Sequence, residues 1–173
     1  TSRPFVGMSM RVLLVYSNQS RELVPAPPVG LSYVASATET AGHQVKLLDL
    51  AFADDIPGKI AQAIEAFAPE VVGLSIRNID NVIHQRFDSP LQLLQAQIAV
   101  IREKARTADG QSVPLVLGGP AISILAEKVL PLFGADYAIV GEGEAVFPAL
   151  LTALAKGASP ARLPGLCYWQ DGV

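Results

Sequence analysis

The sequence contains a single cysteine, Cys167, and only two histidines, His43 and His84. One thiol cannot close an internal disulfide, and one Cys with two His cannot assemble a metal cluster. A reducing, cytoplasmic setting is expected. Aromatic residues make up 6% of the chain, and Lys and Arg number 13 against 16 Asp and Glu, a net charge of −3. Neither the basic patch nor the stacking surface of a nucleic-acid binder is present, so nucleic acid is not an expected partner. No apolar run approaches the roughly 18 to 20 residues that cross a bilayer, and no membrane partner is expected. The opening Thr1 to Ser9 lacks the charged-then-apolar order of a signal peptide and reads as a tag or disordered start ahead of Met10. What the chain does have is core: half of its 173 residues are apolar and 17% are charged. A domain of this size buries about two-thirds of its unfolded surface.

Five apolar runs recur along the chain: Arg11-Val-Leu-Leu-Val-Tyr16, Val45-Lys-Leu-Leu-Asp-Leu50, Val71-Val-Gly-Leu-Ser-Ile76, Leu115-Val-Leu-Gly118 and Tyr137-Ala-Ile-Val140. Most are continuous rather than alternating, the pattern of strands buried on both faces of a parallel sheet. The intervening segments read as helices. Asp54 and Asp55 before Pro57 signal a start, Ile60, Ile64 and Phe67 recur at helical spacing, and Pro69 stops the pattern. Leu91, Leu94, Ile98, Ile101 and Ala105 form the clearest stripe, Ser123 is placed to cap Ile124 to Phe133, Val146, Leu150 and Leu154 end at Gly157, and Leu31 to Ala41 closes at Gly42. Strands alternating with helices in this way predict an α/β, flavodoxin-like, doubly wound five-stranded parallel sheet, order 2-1-3-4-5, over residues 10–157. Ligands in such sheets bind outside the carboxyl ends of the strands at the switch in strand order. Residues 158–173 read as a linker and then one strand, Gly165 to Trp169, leading into a Gln170-Asp171-Gly172 turn with no return strand. The natural chain is therefore expected to continue.

Four loops that follow strands have unusual composition. Pro25-Ala-Pro-Pro-Val-Gly-Leu31 is stiffened by prolines just before a helix, which suits either a flat surface against a flat ligand or a plain helix start. In Ser75-Ile-Arg-Asn-Ile-Asp-Asn81 a buried strand runs into polar residues. The Ser75 hydroxyl needs a partner there, either a ligand reaching between the strands or a neighbouring carbonyl, and Arg77 and Asp80 can pair to order the loop. Gly118-Gly-Pro120 and Gly141-Glu-Gly-Glu144 end strands in residues that permit close approach or a tight turn. None of these is a dinucleotide fingerprint, since Ser17-Asn-Gln-Ser20 follows the first strand, and no phosphate loop with Gly-Lys-Ser or Gly-Lys-Thr is present.

Together, in this order, Pro27-Pro-x-Gly-Leu31, Gly73-Leu-Ser-Ile-Arg-Asn78, Leu117-Gly-Gly-Pro120, Gly134-Ala-Asp-Tyr137, Val140-Gly-Glu-Gly-Glu144 and Leu163-Pro-Gly-Leu166 resemble the N-terminal cobalamin-binding domains of cobalamin-dependent radical SAM enzymes. The resemblance spans Arg11 to about Gly172 and implies a Rossmann-like cobalamin-binding fold with the cofactor held base-off. Ser75 and Gly118-Gly119 match the positions that line the slot for the cofactor's nucleotide tail, and the corrin is expected across the carboxyl edge, over the loops after Ser17, Ile76 and Val140. The implied cofactor-binding residues are Ser17, Asn18, Pro27, Pro28, Gly30, Leu31, Ser75, Ile76, Arg77, Asn78, Gly118, Gly119, Pro120, Gly141, Glu142, Gly143 and Glu144. No residue here is assigned as catalytic or as a metal ligand. By the same resemblance, S-adenosylmethionine and an iron–sulfur cluster belong to a radical SAM domain of the same natural chain beyond residue 173, where methyl transfer or related radical chemistry on a small molecule or peptide takes place.

One departure is informative. Other cobalamin domains carry Asp-x-His-x-x-Gly after the first strand, with the His on cobalt, whereas here the stretch is Ser17-Asn-Gln-Ser-Arg-Glu22. Its absence favours the radical SAM branch and leaves the lower axial position open. His84 lies on the ligand side after the third strand; His43 enters the second strand from the opposite end and reads as a surface residue; Cys167 reads as an inert packed thiol. The competing reading is a non-catalytic flavodoxin-like binding or signalling domain. Against it, the acidic cluster and lysine of a phospho-receiver are missing, and Ser17 and Ser20 only partly supply the hydroxyl-rich loop a flavin phosphate needs.

Overall fold

A computed structural model describes residues 9–18, 26–77, 90–160 and 163–168. Its strands are β1 (Arg11–Tyr16), β2 (Gln44–Asp49), β3 (Val71–Ser75), β4 (Leu115–Gly118), β5 (Tyr137–Ile139) and β6 (Leu166–Tyr168). Its helices are α1 (Val29–Thr40), α2 (Ile56–Phe67), α3 (Pro90–Lys104), α4 (Pro120–Phe133) and α5 (Gly143–Ala155). The sheet order is β2-β1-β3-β4-β5-β6, with the first five strands parallel. The doubly wound α/β fold expected from the continuous apolar runs is therefore present.

Alternation along each strand divides the core in two. Leu13, Val15, Val72, Leu74, Leu115 and Leu117 face α2, α3 and α4, and pack with Ile60, Ile98, Ile101 and Ile122. Val12, Leu14, Val71, Val116 and Ile139 face α1 and α5, and pack with Phe147, Leu150 and Leu151. At about 1.5–3 kcal/mol for each large side chain fully buried, these two layers supply the main driving force for the fold. The helix ends follow local chemistry. The Asp55 side chain accepts from the Gly58 amide at 2.9 Å to cap α2, Pro57 occupies its first turn, and Ala68 closes it in the left-handed conformation just before Pro69.

Three expectations are corrected. Helix α4 begins at Pro120 rather than after a Ser123 cap, with Gly119 at its N-cap. Proline has no amide to leave unpaired and a φ already suited to a first turn. Ser123 consequently lies inside the helix. The sheet has six strands rather than the five expected: β6 adds antiparallel to β5, pairing Tyr137 with Tyr168 and Ala138 with Cys167. The open edge of β5 offers unpaired amides and carbonyls that a following strand can use, and Gly165, at φ +80°, makes the close approach to the Val140 carbonyl that this reversal needs. Finally, His43 is buried rather than on the surface, and its Nδ1 accepts from the Met10 amide at 3.2 Å. Burial lowers its pKa below the ordinary 6.5, because the charged form loses hydration there.

Candidate functional site

A cleft of about 560 Å³ opens at the carboxyl edge of the sheet, between β1, β3, β4 and β5 on one side and α1 and α5 on the other. The strand register arranges its sheet wall in two rows. The deep row is Leu14, Gly73 and Val116, and the row nearer the mouth is Tyr16, Ser75 and Gly118. Val34 of α1 and Phe147 of α5 close the far side. Gly73 sets the depth, since a Cβ there would lie 2.7 Å from a Leu14 methyl and 3.5 Å from the Phe147 ring.

Most of the residues expected at the site meet in this cleft. Pro27, Pro28, Gly30 and Leu31 supply one lip, and Gly141, Glu142, Gly143 and Glu144 another. Ser75, Arg77, Gly118, Gly119 and Pro120 complete the floor and mouth. Ser17, Asn18 and Ile76 are not in the wall. Ser17 is buried, and its hydroxyl and amide both donate to the Ser75 carbonyl, at 2.9 and 3.2 Å. Ile76 points into the core on the α2, α3 and α4 face, while its amide donates to the Gly118 carbonyl at 2.8 Å. Asn78 and His84 lie outside the described residues, as do Gln19 and Ser20.

The two adjacent glycines do different things. Gly119 sits at φ +99° and a Cβ on it would lie 2.5 Å from the Ile76 carbonyl oxygen, so the backbone itself demands glycine. Gly118 has no atom within 4 Å of its missing Cβ, which would project into open space. Only Gly118 leaves room for a ligand. The Ser75 hydroxyl faces the same space and makes no hydrogen bond among the described residues. Arg77 is the one cationic side chain in the described wall, opposite two carboxylates, Glu142 and Glu144.

Several wall residues escaped the sequence reading. Leu14, Val34, Val116 and Phe147 look like ordinary core in any apolar run, and only the interruption of Val71-Val-Gly-Leu-Ser75 by Gly73 hinted at a recess. Two positioning groups were also hidden. The Tyr16 hydroxyl donates to the Ala26 carbonyl at 3.1 Å, tying the proline segment to β1. The Ser123 hydroxyl oxygen accepts from the Gly141 amide at 3.0 Å and lies 3.4 Å from the Gly119 carbonyl, joining the two glycine loops. No group of three His, Cys, Asp or Glu side chains that could hold a metal occurs among the described residues, nor any helix long and apolar enough to cross a membrane.

The B12-binding domain model matches residues 23–151, most of the chain. The chain belongs to the B12-binding domain family. It is 32% identical over 160 residues to tryptophan 2-C-methyltransferase of Streptomyces laurentii, covering 90% of this chain and 25% of that protein. Its fold is similar, at a TM-score of 0.81 and 29% identity, to the radical S-adenosylmethionine methyltransferase TsrM of Kitasatospora setae, solved with cobalamin and a 4Fe-4S cluster bound, over 95% of this chain and 30% of that one. It also shares a fold, at a TM-score of 0.72 and 17% identity, with the cobalamin-dependent enzyme OxsB, over 95% of this chain and 21% of that one. The chain thus spans about a quarter of the length of the curated relatives it matches. Family membership favours cobalamin over a flavin or a phospho-receiver role. The cleft fits that cofactor: an apolar recess with a side-chain-free wall at Gly118 and a Ser75 hydroxyl with no partner among the described residues suits a nucleotide tail.

Proposed function

We propose that this B12-binding domain holds cobalamin base-off, with the nucleotide tail in the cleft and the corrin at its mouth, as the cofactor-carrying part of a longer radical SAM enzyme. The observation that carries the reading is the division of the cleft, apolar in its deep row and polar only toward the mouth. A recess of about 560 Å³ accommodates a tail but not a whole corrinoid. Ser75 and Arg77 are the side chains of the described wall available to orient the polar part of the tail. When bound, cobalamin supplies a cobalt centre that carries a methyl group or tunes a radical; this chain contributes position and exclusion of water.

Cleavage of S-adenosylmethionine, methyl transfer and the substrate belong, on this reading, to a radical SAM domain in the remaining length seen in the relatives. Exposed Val29, Phe52, Leu93 and Ile124 lie on early helical turns or the loop after β2, all at the cleft end of the sheet, where such a domain would cover them. A cytoplasmic setting is part of the same proposal and rests on the single cysteine. The test is an absorbance spectrum after incubation with hydroxocobalamin and desalting. Retained corrin bands are expected, and their loss would remove the cofactor assignment. Alone, the chain is expected to release no deoxyadenosine from S-adenosylmethionine, because a radical SAM cluster needs three thiolates and Cys167 is the only one present.

A further inference from the structure

We infer that Tyr16 is a positioning residue for the cofactor: its hydroxyl latches the proline lip of the cleft, so that the cofactor meets a preformed edge rather than a loose one. This rests on the cobalamin reading of the cleft and goes beyond it. Tyr16 is the last residue of β1, and it is buried. Its hydroxyl donates to the Ala26 carbonyl at 3.1 Å, ten positions along the chain. The lip has few other means of attachment. Pro27 and Pro28 carry no backbone amide, so no donor lies between Ala26 and Val29 for the sheet to hold. Their carbonyls turn back into the start of α1: that of Pro27 accepts from the Val29 amide at 2.9 Å, and that of Pro28 from the Ser32 amide at 2.9 Å and the Ser32 hydroxyl at 3.0 Å. Helix α1 has no side-chain cap at Pro28. Among the described residues, the bond from Tyr16 is thus the hydrogen-bonded tie between the lip and the sheet.

Proline rings fix φ near −65°, so a Pro-Pro pair moves as a stiff unit whose direction is set at its two ends. At one end Leu31 and Val34 of α1 pack against the core layer that contains Leu14 and Phe147. At the other end stands the Tyr16 hydroxyl. Pro27 is exposed and Pro28 half-buried at the cleft, so the lip presents surface to a ligand while Tyr16 acts through it. Releasing one end adds conformational freedom that binding must then remove. A hydrogen bond of this kind accounts for roughly a threefold to tenfold difference in affinity.

The experiment compares the chain with Tyr16→Phe, which keeps the buried ring and deletes the donor. Hydrogen exchange is followed over the Val29 to Ser32 amides, with and without aquacobalamin, and spectrophotometric titration gives the affinity. In the apo variant, exchange over that segment is expected to quicken severalfold while the strands and the thermal midpoint change little. Aquacobalamin should bind it about threefold to tenfold more weakly, and saturation should slow the segment back to the rate in the unaltered chain. A general packing role would instead lower the thermal midpoint and quicken exchange throughout the sheet. Unchanged exchange at Val29 to Ser32 in the apo variant would overturn the latch. Faster exchange with unchanged affinity, or with no slowing at saturation, would overturn the positioning role and leave the cofactor assignment standing. Failure of the unaltered chain to bind aquacobalamin would overturn the cofactor assignment and the positioning role with it.

Discussion

The two ends of the sheet are built from the same strands and finished in opposite ways. At the amino end, side chains close off the backbone. Asp136 accepts from the Leu115 amide at 2.7 Å and from Arg102 at 3.0 Å, Glu70 accepts from the Arg11 amide at 2.9 Å, Arg11 donates to the Ala68 carbonyl at 2.7 Å, and His43 accepts from the Met10 amide. At the carboxyl end, glycines, prolines and a Ser75 hydroxyl with no partner among the described residues leave a recess. A fold that satisfied both edges equally would be a better-sealed domain with nowhere to bind. Side chains cap strand backbone at the amino end, and the recess lies at the other.

Substitutions at the two ends should separate affinity from stability. The largest effect on cobalamin is expected for Gly118→Val, whose side chain enters open space in the cleft: retention falls tenfold or more while the melting temperature of the apo chain changes little. Its neighbour behaves differently. Gly119→Val meets the Ile76 carbonyl and a positive φ, so it should cost about 2 kcal/mol or more of stability, seen as a lowered thermal midpoint. If both variants lose affinity and neither loses stability, the distinction between the two glycines is wrong.

At the amino end, Asp136→Ala leaves the Leu115 amide without its side-chain acceptor and should cost about 1–3 kcal/mol in urea unfolding, with cobalamin affinity unchanged. Loss of affinity in the folded variant would mean that the two ends are coupled. A smaller effect is expected for Ser123→Ala. Freeing the Gly141 amide removes the tie between the glycine loops, and cobalamin affinity should fall by about 1 kcal/mol, severalfold, with Ser123→Thr restoring it. Rescue by threonine is what a bulk packing role would not produce.

The smallest effect concerns pH. His43 has a folded pKa below its unfolded value of 6.5, so protons bind the unfolded chain more readily. Its contribution is fully present above about pH 6.5 and is lost as pH falls below that value through the folded pKa. His43→Asn can keep an acceptor for the Met10 amide without titrating, and should flatten this part of the stability profile between pH 7 and pH 5. An unchanged slope would place the titration elsewhere.

These contrasts also mark what the sequence disclosed. Strands such as Val71-Val-Gly-Leu-Ser75 were legible because a strand buried on both faces must be continuously apolar. The cleft lips were legible because Pro27-Pro28, Gly118-Gly119 and Gly141-Glu-Gly-Glu144 break that pattern at strand ends. The deep row was not. Leu14, Val116 and Phe147 serve core and cleft with the same chemistry, and only the register that sets Leu14 beside Gly73 and Gly73 beside Val116 separates the two roles. Ile76 illustrates the converse, because a residue next to Ser75 in sequence must point to the other face. His43 was misread because polarity at a strand entrance resembles exposure, whereas the Met10 amide supplies a partner from 33 positions away.

The central claim is that the carboxyl-edge cleft takes the nucleotide tail away from cobalt. Electron paramagnetic resonance of the chain reconstituted with cobalt(II) cobalamin tests it most directly, because an axial nitrogen splits each cobalt line into three. The account predicts lines without that splitting, as no histidine stands in the Ser17 to Glu22 stretch. A triplet that persists in His84→Ala would show the cofactor's own base still on the metal, and would contradict the account.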